Sequence, residues 1–170
     1  MLTETLIRLA RPDDLQQLHP VIERAYRGDS ARAGWTHEAD LLEGARTSID
    51  VLAGIVADLD QRLLVAERRG NLIGCVAVRD LGDGRAYLGQ LCVEPTLQAG
   101  GLGKVLIAAA EQAAHQTFGA RRIEMTVIEN RRELIDYYQR RGYALTGERR
   151  DFPITLDPPL FMQVLEKPLG

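Results

Sequence analysis

The chain has 170 residues, 45% of them hydrophobic and 26% charged, which is ordinary for one globular domain with a core of useful size. A formal charge of −3 excludes the basic footprint of a nucleic-acid binder, and no stretch is long and apolar enough to span a bilayer. His19, His37 and His115 are too scattered for a metal-ligand spacing, so no metal is expected. Cys75 and Cys92 both fall in strand patterns, which argues against a disulfide framework and for a reducing compartment. The opening MLTETLIRLARPDD lacks the charged and apolar regions of a secretory signal, so the expected location is cytoplasmic.

Thr5 to Ala10 reads as a first strand. Pro12, Asp13 and Asp14 open a helix, with Leu15, Leu18, Ile22 and Ala25 on its buried face and Gly28 as its end. A less regular stretch follows with the only tryptophan, Trp35, and then Thr36-His37-Glu38, where Thr36 is placed to cap a short helix. Ile49 to Asp58 is a further helical or irregular segment. Arg62–Glu67 and Leu72–Val78 form a hairpin across Arg68-Arg69-Gly70-Asn71, and Leu81–Gly84 is a second turn. A strand then runs through Ala86, Leu88, Leu91 and Val93 and closes at Pro95.

The central helix spans Gly101–Phe118, with Leu102, Leu106, Ala109 and Ala113 on one face and Gly119 at its end. Arg122–Val127 alternates as a strand, and Asn130–Arg141 forms a late helix closed by Gly142. The last strands lie near Tyr143–Arg149 and Leu160–Lys167, separated by the proline-bearing loop Asp151–Pro159. That loop is suited to capping a site or lying at a dimer interface, so a homodimer stays open. Residues 1–170 thus read as a single domain with a mixed α/β layer fold, in the order β-α-α-β-β-β-α-β-α-β-β.

The chemistry is concentrated between residues 85 and 104. A strand, a glycine-rich turn and a helix in succession present unpartnered backbone N–H groups and a positive dipole end to a phosphate. The turn is not a dinucleotide fingerprint, because Lys104, Val105 and Leu106 follow Gly103. Nor is it a nucleoside-triphosphate loop, because Val105 rather than Ser or Thr follows Lys104. What fits is Gln98-x-x-Gly101-x-Gly103. This resembles the acetyl-coenzyme A pyrophosphate loop of the GNAT superfamily of N-acetyltransferases. The stretch from Asn130 through Tyr138 to Gly142-Tyr143 is similar to a second GNAT signature, departing from it at Arg132-Glu133. The order of elements is also the superfamily's, so the resemblance covers nearly the whole chain.

The resemblance implies an acetyl-coenzyme A-dependent N-acetyltransferase whose acceptor is a primary amine of a small molecule or a peptide. It implies that Gln98, Ala99, Gly100, Gly101, Leu102, Gly103 and Lys104 hold the pyrophosphate and that Asn130 contacts the coenzyme. A backbone N–H within Leu91, Cys92 and Val93 would stabilise the thioester oxyanion, and Tyr138 would act as general acid. A base is also required, since an amine of pKa about 10.4 is protonated at neutral pH. Glu94 and Glu38 are the candidates, with a water chain as the alternative. Tyr26, Arg27, Trp35 and Glu38 fall where the family builds a wall of the acceptor site. Tyr137 reads as packing, and Cys92 as a small hydrophobe rather than a nucleophile. The rival readings are a catalytically silent coenzyme A-binding module and transfer of a different acyl group.

Overall fold

The computed structural model describes residues 4–33, 47–152, 155 and 157–170, and the side chains of these except 26–33, 98 and 99. Strand β1 (Leu6–Leu9) leads through a single 3-10 turn, Pro12–Asp14, into helix α1 (Leu15–Ala33). Asp14 fixes that entry. Its carboxylate accepts the Arg11 backbone N–H at 2.7 Å and both terminal nitrogens of Arg8 at 2.8 and 2.9 Å. Leu15, Leu18, Ile22 and Ala25 are buried as their spacing requires. Gly28 does not end the helix, which runs on to Ala33. A lone glycine costs a helix only about 1 kcal/mol, and it stops one only where the chain turns left-handed.

Helix α2 (Ile49–Ala57) settles the irregular segment as helical, with the Ser48 hydroxyl accepting the Val51 N–H as its cap. The short helix expected after Thr36 lies outside the described residues. Strands β2 (Gln61–Arg68), β3 (Asn71–Gly82) and β4 (Arg85–Val93) form an antiparallel meander. Its first turn sets Arg69 and Gly70 at φ 54° and 77°, the left-handed pair that a two-residue hairpin needs. Helix α3 (Leu102–Phe118), β5 (Arg122–Ile128), α4 (Arg132–Arg140), β6 (Ala144–Asp151) and β7 (Phe161–Pro168) follow.

The seven strands of the described residues make one sheet in the order β1-β2-β3-β4-β5-β7-β6, antiparallel except where β4 meets β5. A core lies on each face. Leu64, Val76, Val78, Ile123 and Met125 pack under α3 and α4, while Leu63, Val65, Leu72 and Cys75 pack under α1 and α2. The buried stripe of α3 is Leu102, Leu106, Ile107, Ala110 and Ala114, so the face expected through Ala109 and Ala113 is turned by one position and those two sit at its margin. Each fully buried Leu or Ile contributes roughly 1.5–3 kcal/mol to holding these layers together.

Candidate active site

The site begins as a failure of strand pairing. Strands β4 and β5 pair only at Arg85–Arg122, Ala86–Ile123 and Tyr87–Glu124. Beyond that point β4 stays with β3, and β5 stays with β7 as far as Ile128–Met162, so a wedge opens between them. The cause is a bulge. Cys75 opposes Cys92 and Ala77 opposes Gly89, so one residue of β3 faces two of β4, Gln90 and Leu91. Gln90 takes φ 50°, a left-handed conformation for a non-glycine residue. A bulge sharpens the local twist and bends its strand, here away from β5. Cys75, fully buried, donates its thiol to the Gln90 carbonyl at 3.3 Å and so pins the distortion. Its neighbour Cys92 and burial both push the Cys75 thiol well up, so it remains protonated.

Leu91, Cys92 and Val93 line the β4 side of the wedge, which therefore offers main-chain hydrogen-bonding groups to an extended ligand. Glu94 donates its backbone N–H to the Ile73 carbonyl at 2.8 Å, so strand alternation turns the Val93 N–H the other way, toward the wedge. Below Val93 the chain makes a 3-10 turn, Pro95–Gly100, which carries the backbone of Gln98, Ala99 and Gly100. Gly101 then caps α3 at φ 82°. No described atom beyond the adjoining residues comes within 4 Å of where a Cβ would stand on Gly100 or Gly101. Bare backbone, an open approach and the first N–H groups of an α-helix meet here, which is the donor set an anionic pyrophosphate requires. Leu102 is buried, and Lys104 is exposed on the first turn.

Helix α4 closes the far side. Asn130 is exposed in the turn between β5 and α4, at the open end of the wedge. Tyr138, 9% exposed, packs edge-on against Tyr137 at 5.3 Å and Tyr143 at 6.1 Å between ring centres. Tyr137 reaches the first turn of α3, with its hydroxyl against Gly103. The Arg141 guanidinium lies 5.0 Å from the centre of the Tyr137 ring, and its buried Nη1 has no hydrogen-bond partner among the described residues. A buried guanidinium nitrogen without an acceptor, beside the phosphate-suited turn, is suited to a ligand oxyanion. Arg141 was not among the residues expected from sequence, where it is one of a run of arginines.

The two carboxylates expected as bases fare differently. Glu94 is gripped by Arg24 of α1, Nε to Oε1 at 2.8 Å and Nη2 to Oε2 at 2.7 Å, and this holds its pKa below the usual carboxylate range. Glu38 and Trp35 lie outside the described residues. Tyr26 and Arg27 lie on α1 within a turn of Arg24, so their backbone runs past the end of β4.

Comparison with known proteins fits this geometry. The sequence profile of the Acetyltransferase (GNAT) family matches residues 18–143. The chain belongs to the GNAT acetyltransferase family. It is 32% identical to the "IAA acetyltransferase" of Azospirillum brasilense over 171 residues, covering 96% of this chain and 98% of that one. The PaiA N-acetyltransferase of Thermoplasma acidophilum, solved in complex with coenzyme A, superposes with a TM-score of 0.74 at 19% identity, over 97% of this chain and 99% of that one. The ribosomal-protein-S18-alanine N-acetyltransferase of Escherichia coli superposes at 0.75 with 16% identity, over 98% and 95%. The GNAT chain described here is thus an acetyl-coenzyme A-dependent acetyltransferase built on the family's mixed α/β fold.

Proposed function

We propose that this protein moves an acetyl group from acetyl-coenzyme A directly to a primary amine. The observation that carries the reading is the wedge between β4 and β5, opened by the Gln90–Leu91 bulge and ending at the Gly101 cap of α3. The cosubstrate supplies an activated acyl carbon and a thiolate leaving group. The backbone of Gln98–Lys104 would hold its pyrophosphate, with Arg141 adding a charged donor and Asn130 a polar contact beside the pantetheine arm. An N–H within Leu91–Val93 would bind the oxygen that becomes negative as the amine attacks.

Tyr138 would donate a proton to the departing sulfur. Its fixed ring suits that role, since both tyrosine neighbours restrict it. Glu94 is less suited to accept the amine's proton, because both its oxygens face Arg24. We assign it to tying α1 to the end of β4. Tyr26 and Arg27, with Trp35 and Glu38, would form a wall of the acceptor site. No covalent enzyme intermediate is needed when both substrates are held together.

The test is calorimetric titration of wild type and Gly101→Glu with acetyl-coenzyme A, coenzyme A and ATP, followed by thiol release with a panel of amines. Acetyl-coenzyme A binding lost in the variant, no ATP binding, and amine-dependent thiol release are expected. Binding without any release would instead indicate a silent coenzyme A-binding module.

A further inference from the structure

On the sheet face that carries α1 and α2, no described helix covers β5 and β7, and a trough runs along β4. One cavity, of about 250 Å³, extends from Tyr87 to Gly89 and Gln90 at the bulge, with Ile55 of α2 on its wall. A second, of about 430 Å³, continues from Tyr87 past Arg85 to Glu124 and Arg150. Arg79 and Tyr87 border both.

Most polar groups here are already committed. The Tyr87 hydroxyl is bonded to Thr126 at 2.7 Å. Glu124, 5% exposed, has Oε1 at 3.4 Å from Arg85 and Oε2 at 3.0 Å from Arg150, and Arg150 also meets Glu148. Two groups are left over. Arg79 lies 5.8 Å above the Tyr87 ring and makes no hydrogen bond or ion pair among the described residues, although its field reaches Asp58. The buried Oε1 of Gln90, at the bulge, meets no donor among the described residues. Arg85 and Arg150 are balanced by Glu124 and Glu148, which leaves Arg79 as the trough cation with no carboxylate in contact among the described residues.

We propose that the acceptor is an amine that also carries a carboxylate, and that Arg79 binds this carboxylate while the amine lies near Gln90. This rests on the reading of the wedge as the acetyl-transfer site. Arg79 pairs in register with Tyr87, three strand residues from Gln90. The spacing sets amine and carboxylate roughly 7–10 Å apart. An ω-amino acid, or a side-chain amine of an amino acid, spans that distance; an α-amino group does not. The planar guanidinium, lying over the Tyr87 ring with no carboxylate on it, has its fork available to a ligand carboxylate.

Thiol release by the full chain, with saturating acetyl-coenzyme A, is measured with 6-aminohexanoate, hexylamine and glycine as acceptors. The wild type is expected to favour 6-aminohexanoate over both others by about tenfold or more in kcat/KM, through KM. Arg79→Ala erases the preference over hexylamine by lowering kcat/KM for 6-aminohexanoate about tenfold more than that for hexylamine, while Arg79→Lys retains part of it. Equal use of 6-aminohexanoate and hexylamine by the wild type, or equal loss for both in Arg79→Ala, overturns the carboxylate assignment and leaves amine acetylation standing. Acetyl-coenzyme A binding with no release for any amine overturns both.

Discussion

The Tyr137 hydroxyl of α4 lies 2.8 Å from where a Cβ on Gly103 of α3 would stand. Two helices that flank the wedge therefore touch through a position that only glycine leaves open. Gly103→Ala forces the tyrosine aside while favouring the helix by up to about 1 kcal/mol. Thermal unfolding is expected to change little and acetyl-coenzyme A affinity to fall several-fold in titration. Adding Tyr137→Phe, which removes the hydroxyl, should restore affinity. A failure to restore it would mean that the new methyl group blocks the ligand itself.

Tyr138→Phe keeps the ring and its edge-on contacts and removes the hydroxyl that would donate the proton. General acid catalysis is typically worth 10²–10⁴-fold, so kcat should drop by about 100-fold or more. KM for acetyl-coenzyme A should stay within about twofold. Steady-state kinetics with one amine acceptor decide it, and an unchanged kcat would reduce Tyr138 to packing.

Glu94→Gln separates a base from a tether. With its pKa held down by Arg24, the Glu94 carboxylate is a poor proton acceptor near neutrality. The pH profile of kcat/KM between pH 5 and 9 should keep the position of its acid limb, with a loss of under about threefold. A loss above about 100-fold with a flattened limb would make Glu94 the base.

Asp14→Asn tests the anchor of α1. The hydrogen bonds from Arg8, aided by the Arg11 backbone N–H, lower the Asp14 pKa from 3.8 to about 2. A depressed carboxylate pKa stabilises the fold above its unfolded value and loses that contribution as pH falls through the folded one. The shift corresponds to about 2 kcal/mol. Denaturant unfolding should show the variant less stable by about that amount at pH 7, by less at pH 3.5, and indistinguishable from wild type only below about pH 2.

Alternation and turn chemistry are local properties, and they announced most of the elements. Gly119 ends α3 at φ 64°, Arg69-Gly70 closes the hairpin, and Leu15, Leu18, Ile22 and Ala25 fall inside as their spacing requires. The bulge also leaves a trace in the sequence. Along β4 the apolar positions change parity, from Ala86 and Leu88 to Leu91 and Val93, and an inserted residue is what such a phase slip means. Helix α1 runs past Gly28 because one glycine is a weak stop signal unless the following chain turns away.

By itself the sequence determined the family, the order of elements and the turn that suits a phosphate, because strand, glycines and helix are contiguous there. Tertiary structure decided everything that depends on residues distant in the chain. Arg24 and Glu94 meet across 70 positions, Tyr87 and Thr126 across 39, and Gly103 and Tyr137 through two separate helices. Side-chain periodicity reports which face of an element is buried. It carries no information about which element arrives to cover that face, and so none about which charges are left over when the pairs have formed.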